Sequence, residues 1–298
     1  MDELYASGKG WSWSPNSPCE AIYLDTLGHL GCSTAYETPA KYLNSVTVVI
    51  PTHRTVPIGI NGFLDDPAVH EIIILANGTT ELHFDPHPRV RIHRCPWEGH
   101  GRTRQASVEL VKSPFILFSV DDASPVGMGA VSRLVSQLEQ GNWDATVARQ
   151  LPWPSAPLYL HRRLREWMPA GQCTIDFPQT DHVATVYRRE TLIESPLPDV
   201  SIAEDLMWSH GKSVGLVQNA LFIHSHQPSV RSLWTREVNI EGVRCQLNQS
   251  EPIHLTDLAL RSFGAAFRRD WASLIYEGTE ASAQWYAQRK FKSKQPSA

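Results

Sequence analysis

The sequence predicts an α/β protein with one mostly parallel central sheet flanked by helices, and three observations predict it. Short, β-branched apolar runs alternate with helix-like segments through the first half of the chain. The runs are continuous rather than alternating with polar residues, as in strands buried on both faces. Polar clusters close them, as at the strand ends where open α/β sheets gather ligands.

Val46–Ile50, stopped by Pro51, is the first strand. Glu71–Leu75, closed by the turn Ala76-Asn77-Gly78, is the second, and Val90–His93 the third. Gly99–Gly101 opens a helix expected from Arg102 to Lys112, which Ser113-Pro114 ends. Phe115–Val120 is the fourth strand and runs directly into Asp121-Asp122. A helix over 129–140 and a strand over 144–150 follow, and the prolines of Leu151–Pro157 predict a loop. Tyr159–Met168 is expected helical, Val183–Tyr187 extended, and Arg188–Glu190 a helix start; Glu204-Asp205 opens another helix. Leu221–Ile223 leads as a strand into His224-Ser225-His226, and alternate strand residues share a face, so both imidazoles are expected to point at one site. Leu260, Phe263, Phe267, Trp271 and Leu274 recur at helical spacing and predict a helix packed on the domain. That stripe leaves room for peripheral membrane contact or a homodimer.

Three segments follow from this pass: an N-terminal extension over 1–44, a main domain over 45–250 and a C-terminal helical segment over 251–298. The main domain divides into two halves, 45–125 and 126–250. With 298 residues, 42% hydrophobic and 19% charged, the chain reads as globular. A net charge of -4 offers no basic field for nucleic acid. Five scattered cysteines without a CxxC pair favour reduced thiols and a cytoplasmic protein, with room for attachment at the inner membrane face. No apolar run reaches the roughly 20 residues of a membrane-spanning helix.

Two acidic points carry the chemistry. Asp121-Asp122 ends a strand, and hard oxygen ligands there suit Mg2+ or Mn2+, ions that share coordination with a substrate diphosphate. The plain alternative is a solvated turn with an Asx cap. Glu204-Asp205 begins a helix, where a carboxylate can serve as base to an acceptor hydroxyl, and where the helix dipole alone also favours acids. That dipole is expected to keep Asp205 ionised. His224 and His226 are candidates for metal or phosphate, and Arg104 for phosphate. Trp153, Trp167 and Trp208 are candidate sugar platforms, although tryptophan is also ordinary core material.

Val48–Thr52, Glu71–Leu75, Arg104-Gln105-Ala106, Asp121-Asp122, Tyr187–Glu190, Ala203-Glu204-Asp205 and His224-Ser225-His226 stand in an order that resembles family 2 glycosyltransferases of the GT-A fold, the rhamnosyltransferase-like members nearest. The resemblance covers about residues 45–245. It implies a Rossmann-like sheet, with a nucleotide-sugar half over 45–125 and an acceptor and catalytic half over 126–250. It also implies an inverting, metal-dependent transfer of one sugar from a nucleotide-diphosphate sugar to a saccharide, lipid-linked or small-molecule acceptor. By matched position it places donor binding at Pro51, Thr52, Arg54, Asn77, Arg104, Asp121 and Asp122. Metal falls to Asp122 and Asp121 with His226 or His224, and the base is Asp205 beside Glu204. Three departures stand out. Val120 occupies the first position of the usual acid triplet, Ala76-Asn77 replaces the base-contacting aspartate, and the Gln-x-x-Arg-Trp signature of processive synthases is absent, which favours single transfer. Two other readings remain, a catalytically degenerate carbohydrate-binding homologue and a nucleotidyltransferase; the second lacks the Gly-rich loop and lysine it would need near the first strand.

Overall fold

The computed structural model describes residues 38–53, 57–78, 82, 86–154, 156–200, 202–224, 229–250 and 271–292. The expected extension over 1–44 and the stripe residues Leu260, Phe263 and Phe267 lie wholly or mostly outside the described residues, as do Arg54 and His226.

Nine described strands form one sheet: β1 (Val46–Thr52), β2 (Val69–Asn77), β3 (Val90–Cys95), β4 (Phe115–Ser119), β5 (Ser124–Pro125), β6 (Ala145–Leu151), β7 (Thr174–Asp176), β8 (Ala184–Arg188) and β9 (Val214–Ile223). Their order is β3-β2-β1-β4-β8-β6-β9-β5, with β7 also on β9. The helices are α1 (Ile60–Leu64), α2 (His100–Ser107), α3 (Ala130–Gln140), α4 (Leu158–Trp167), α5 (Arg189–Glu194), α6 (Glu204–Ser209), α7 (Val230–Gln246) and α8 (Trp271–Lys292). The helix expected from Arg102 to Lys112 is shorter, since the chain tightens into a 3-10 turn over Val108–Leu110.

Side chains alternate across the continuous strands, so one run feeds two cores. Val46, Val48 and Ile50 of β1 join Phe63 of α1 and Val131, Leu134 and Leu138 of α3 on one face. Val49, Ile73, Ile116 and Phe118 join Val108, Leu192 and Trp208 on the other. Each such side chain contributes about 1.5–3 kcal/mol on burial.

Strand direction decides where the chemistry lands. β1 is parallel to β2 and β4, and β2 to β3. β8 is antiparallel to both β4 and β6, and β6 is parallel to β9. β1, β2, β3, β4, β6 and β9 therefore all run one way, which gives the mostly parallel sheet that the apolar runs predict. β8 runs against them. Its N-terminal approach, Thr180-Asp181-His182, consequently meets the carboxyl ends of β4 and β6.

The C-terminal helix α8 packs along α7 and α4 through Ser273, Tyr276, Ala283 and Ala287, with Tyr276 stacked on Tyr159 at 5.0 Å. Trp271, expected in a packed stripe, instead faces solvent.

Candidate functional site

The two acidic dipeptides divide their labour in the same way. At the end of β4, Asp121 is buried, and its Oδ2 accepts a 2.6 Å hydrogen bond from Thr52 Oγ1 at the end of β1. The Asp121 carbonyl also accepts from the Ile58 amide at 2.9 Å. Asp122, one residue on, brings Oδ1 to 3.3 Å from His224 Nε2. The β5–β9 pairing, Ser124 opposite Ile223, sets the chain after Asp122 beside the end of β9 and so beside His224.

At the start of α6, Glu204 is enclosed. Its Oε1 accepts from Arg104 Nη1 at 2.9 Å and contacts His182 Nδ1 at 3.0 Å, and the side chains of Arg104 and Glu204 are 4% and 5% exposed. Burial, with the Arg104 charge beside it, lowers the His182 pKa, so the ring is neutral near pH 7. An ionised carboxylate only accepts, which makes Nδ1–H the donor and leaves His182 Nε2 to accept from Tyr187 Oη at 2.8 Å. Burial pushes the Glu204 carboxyl up, and the His182 hydrogen bond with the Arg104 charge outweighs it, holding the pKa at about 2. Gly101 permits this packing, because a Cβ there would collide with the Pro198 carbonyl and press on the Glu204 side chain.

Asp205 is the less enclosed partner, half-buried where Glu204 is buried. Ala203 precedes the dipeptide with φ 62, a left-handed conformation that costs a non-glycine residue roughly 1–2 kcal/mol. Thr180 Oγ1 donates to the Asp205 carbonyl at 3.0 Å and Ser209 Oγ donates to it at 2.5 Å, which ties α6 to the approach of β8. Asp205 Oδ1 accepts the Leu206 amide at 2.8 Å. Burial, then the charges of Glu204 and Asp181, raise the Asp205 pKa to about 7. The helix start thus does not hold Asp205 fully ionised as expected; burial, with two neighbouring carboxylates, overcomes the dipole of a six-residue helix.

A chain of side chains runs from the first point toward the second. Gln150, near the end of β6, donates Nε2–H to Asp181 Oδ2 at 2.8 Å. Because the carboxylate only accepts, the Gln150 oxygen is the atom facing His224, 3.3 Å from Nδ1. His224 Nδ1–H is then the donor. Its Nε2 faces Asp122 Oδ1 at 3.3 Å. Asp181 Oδ1 meanwhile accepts the Val183 amide at 2.9 Å in an Asx turn, which fixes the carboxylate at the start of β8. The order is Asp122, His224, Gln150, Asp181, and then Asp205, whose proton affinity the Asp181 charge raises.

An anionic oxygen and a nitrogen lone pair at 3.3 Å attract only when a proton or cation lies between them. An octahedral ion with bonds of about 2.1 Å spaces adjacent ligands about 3 Å apart, so Asp122 and His224 fit two neighbouring positions. Among the described residues no group of three or more His, Cys, Asp or Glu side chains is placed to hold a metal. The remaining positions of such a shell would fall to ligands other than these two side chains.

Several sequence-predicted site residues fall elsewhere. Arg104 is committed to Glu204 and buried, so its guanidinium is withdrawn from any phosphate. Glu204 is likewise withdrawn from substrate. Trp208 is no sugar platform: it is buried against Tyr187 at 4.9 Å, with Nε1–H donating to the Ser195 carbonyl. Trp167 packs on Phe177 at 5.5 Å in a core cluster with Met168. Trp153 is half-buried in the loop three residues after Gln150. Pro51 and Thr52 end β1 beside Ala76, and Asn77 ends β2, where its Oδ1 accepts from Cys95 Sγ at 3.5 Å. β9 stops at Ile223, so His224 lies beyond the strand that was expected to orient it.

Sequence reading missed Gln150, Asp181 and His182. The triplet Thr180-Asp181-His182 just ahead of an apolar strand was the available signal for two of them; Gln150 carried none.

No protein-family model matches the chain, and no curated protein matches it in sequence. Solved structures do. GalNAc-T7 with UDP, GalNAc and Mn2+ aligns with 86% of this chain at 12% identity and a TM-score of 0.50. The fold is that of the GT-A glycosyltransferases. The chain spans 57% of the length of that structure. S. aureus TarS 1–349 in complex with UDP-GlcNAc aligns with 85% of this chain and 93% of its own, at 10% identity and 0.45. A second S. aureus TarS structure aligns with 74% and 42%, at 12% identity and 0.44.

Proposed function

We propose that this chain is an inverting, non-processive glycosyltransferase that moves one hexosyl unit from a nucleotide-diphosphate sugar to an acceptor hydroxyl over the domain 45–250. The observation that carries the reading is the polar chain linking Asp122 and His224 to Asp181 beside Asp205, all at the carboxyl edge of the sheet. On this reading it would supply a cation-binding pair and a separate base along one edge of the sheet. The GT-A fold supports it.

Asp122 and His224 would hold a divalent ion, which when bound neutralises charge building on the departing diphosphate. An oxygen and imidazole pair fits Mn2+ better than Mg2+, which prefers oxygen and water. Gln150 keeps the His224 Nε2 lone pair toward that position. Thr52 and Asp121 hold the end of β1 against β4, where the nucleotide would lie with Pro51 and Asn77. Asp205 accepts the acceptor hydroxyl proton as the oxygen attacks the anomeric carbon. The bond from that carbon to the diphosphate oxygen breaks on the opposite face, the electron pair leaves with the diphosphate, and configuration inverts. A pKa near 7 suits a base that must take up a proton at neutral pH. Of the three candidate tryptophans, Trp153 is the one this reading keeps as an acceptor platform.

The test combines a donor screen with Mn2+ and the Asp205→Asn variant. Transfer should fall by about 10²–10⁴-fold, the usual worth of a general base, with donor affinity changed only a few-fold. Retained transfer, or a product with the donor's anomeric configuration, removes Asp205 as base. A catalytically silent sugar-nucleotide binder is the second reading, favoured by the two-ligand cation pair among the described residues. Donor binding without hydrolysis or transfer by the wild-type chain would favour it.

A further inference from the structure

Ten large apolar residues are exposed among the described residues, and four of them, Trp271, Ile275, Trp285 and Tyr286, lie on the single helix α8. They are between 43% and 62% exposed. At roughly 100° per residue, Trp271, Ile275, Gly278, Ser282, Trp285 and Arg289 fall on one stripe along the helix. Tyr286 flanks it. The opposite face, Ser273, Tyr276, Ala283 and Ala287, is the one that packs on the domain.

Charge is sorted along the same line. The acids of α8 turn inward: Glu277 pairs with Arg162 at 2.7 Å and Glu280 with Arg163 at 2.5 Å. The exposed face carries cations. Arg289 stands over the Trp285 ring at 4.1 Å and Lys290 over the Tyr286 ring at 5.7 Å. The sequence continues Arg289-Lys290-Phe291-Lys292-Ser293-Lys294, which is four cations in six residues. A chain of net charge -4 thus concentrates positive charge beside the exposed apolar residues of α8.

We infer that this face of α8 docks on an anionic lipid bilayer. Tryptophan and tyrosine beside arginine and lysine are the side chains that settle at the headgroup level, with the ring in the apolar boundary and the cation among the phosphates. The arrangement fits a flat lipid surface better than a partner helix. Protein interfaces place their anchors near the centre, and here the centre is Gly278 and Ser282, neither of which offers an apolar side chain to a partner's pocket. A Cβ built on Gly278 meets nothing within 4 Å. The large residues gather toward the two ends, Trp271 with Ile275 and Trp285 with Tyr286, and the two tryptophans are about 21 Å apart along the helix.

The experiment is sedimentation of the full chain with phosphatidylcholine vesicles, with and without 30% phosphatidylglycerol. Wild type should bind the anionic vesicles at least ten-fold more tightly, and Trp fluorescence should be quenched by lipids brominated near the headgroup. Each cation at an anionic surface is worth about five-fold, so R289E/K290E should lose roughly 25-fold or more. Trp271→Ser with Trp285→Ser should lose at least ten-fold on the same vesicles with an unchanged circular dichroism spectrum. Three results overturn the inference: no sedimentation of wild type, equal binding to neutral and anionic vesicles, or a lipid-free dimer that Trp285→Ser dissolves. Brominated-lipid quenching on the wild type decides the matter even if the variants misfold.

Discussion

The end of β4 and the start of α6 each present two adjacent acids, and in each the first is buried and taken by the scaffold while the second is the more exposed of the pair. Their electrostatics differ. Asp121 is held by a neutral hydroxyl, Thr52 Oγ1, and Asp122 meets an imidazole. Glu204 is held by a buried guanidinium and a neutral histidine, whereas Asp205 feels two carboxylates more strongly than it feels Arg104. One region is arranged to attract a cation. The other is arranged to hold a proton loosely enough to exchange it near pH 7. The transfer proposed above needs both, and adjacency in sequence does not decide which acid suits which part; the partner set does.

The comparison breaks most severely at Arg104. Its guanidinium compensates a buried carboxylate, so Arg104→Met leaves Glu204 charged without its cation and should cost about 3–5 kcal/mol in urea denaturation. The double change with Glu204→Gln should restore most of that loss. If Arg104→Met proves neutral, Glu204 is not the buried anion that frames Asp205. A lesser effect is expected at the other end of the polar chain. Gln150→Leu frees His224 to change tautomer, and supporting partners of a metal-bound histidine are typically worth 10–100-fold in affinity. Mn2+ binding followed by electron paramagnetic resonance should weaken by that factor, while Asp122→Ala should abolish it. Loss in Asp122→Ala without loss in Gln150→Leu would leave the cation pair standing and remove Gln150 as its support.

Much of this was legible before any coordinates. The runs Val46–Ile50, Glu71–Leu75 and Phe115–Val120 read as buried strands because nothing polar interrupts them, and they are β1, β2 and β4 with small changes at the ends. Asp121-Asp122 was visible because two acids follow that apolar run. The direction of β8 was not. No local feature of Val183–Tyr187 says which way the strand runs, and that direction is what delivers Asp181 to the carboxyl edge of the sheet. Arg104 misled for a related reason. An arginine near a glycine-rich helix start suggests phosphate, but a buried carboxylate a hundred residues away claimed it. Trp208 followed the same rule: proximity in sequence to Asp205 placed it near the site, and helix α6 turned its ring into the core.

The smallest effect separates Asp205 from Glu204 by pH. A carboxyl raised to about 7 in the fold, against about 3.9 in the unfolded chain, binds its proton more tightly when folded. Between those values the unfolded chain has released the proton and the native chain has not. Stability from this group is therefore complete below about pH 4 and is lost as pH rises to 7, after which it is flat. Asparagine cannot titrate, so Asp205→Asn should match wild type near pH 4 and exceed it above pH 7, by on the order of 2 kcal/mol once access of water to this half-buried group is allowed for. Glu204, held at about 2, gives the opposite slope: its stabilisation is present above about pH 4 and disappears as pH falls toward 2. Melting curves of wild type and Asp205→Asn in chelator, taken from pH 4 to 8, read the difference directly. Parallel curves across that range would show that Asp205 titrates as an ordinary surface acid, and the electrostatic contrast between the two dipeptides would then vanish.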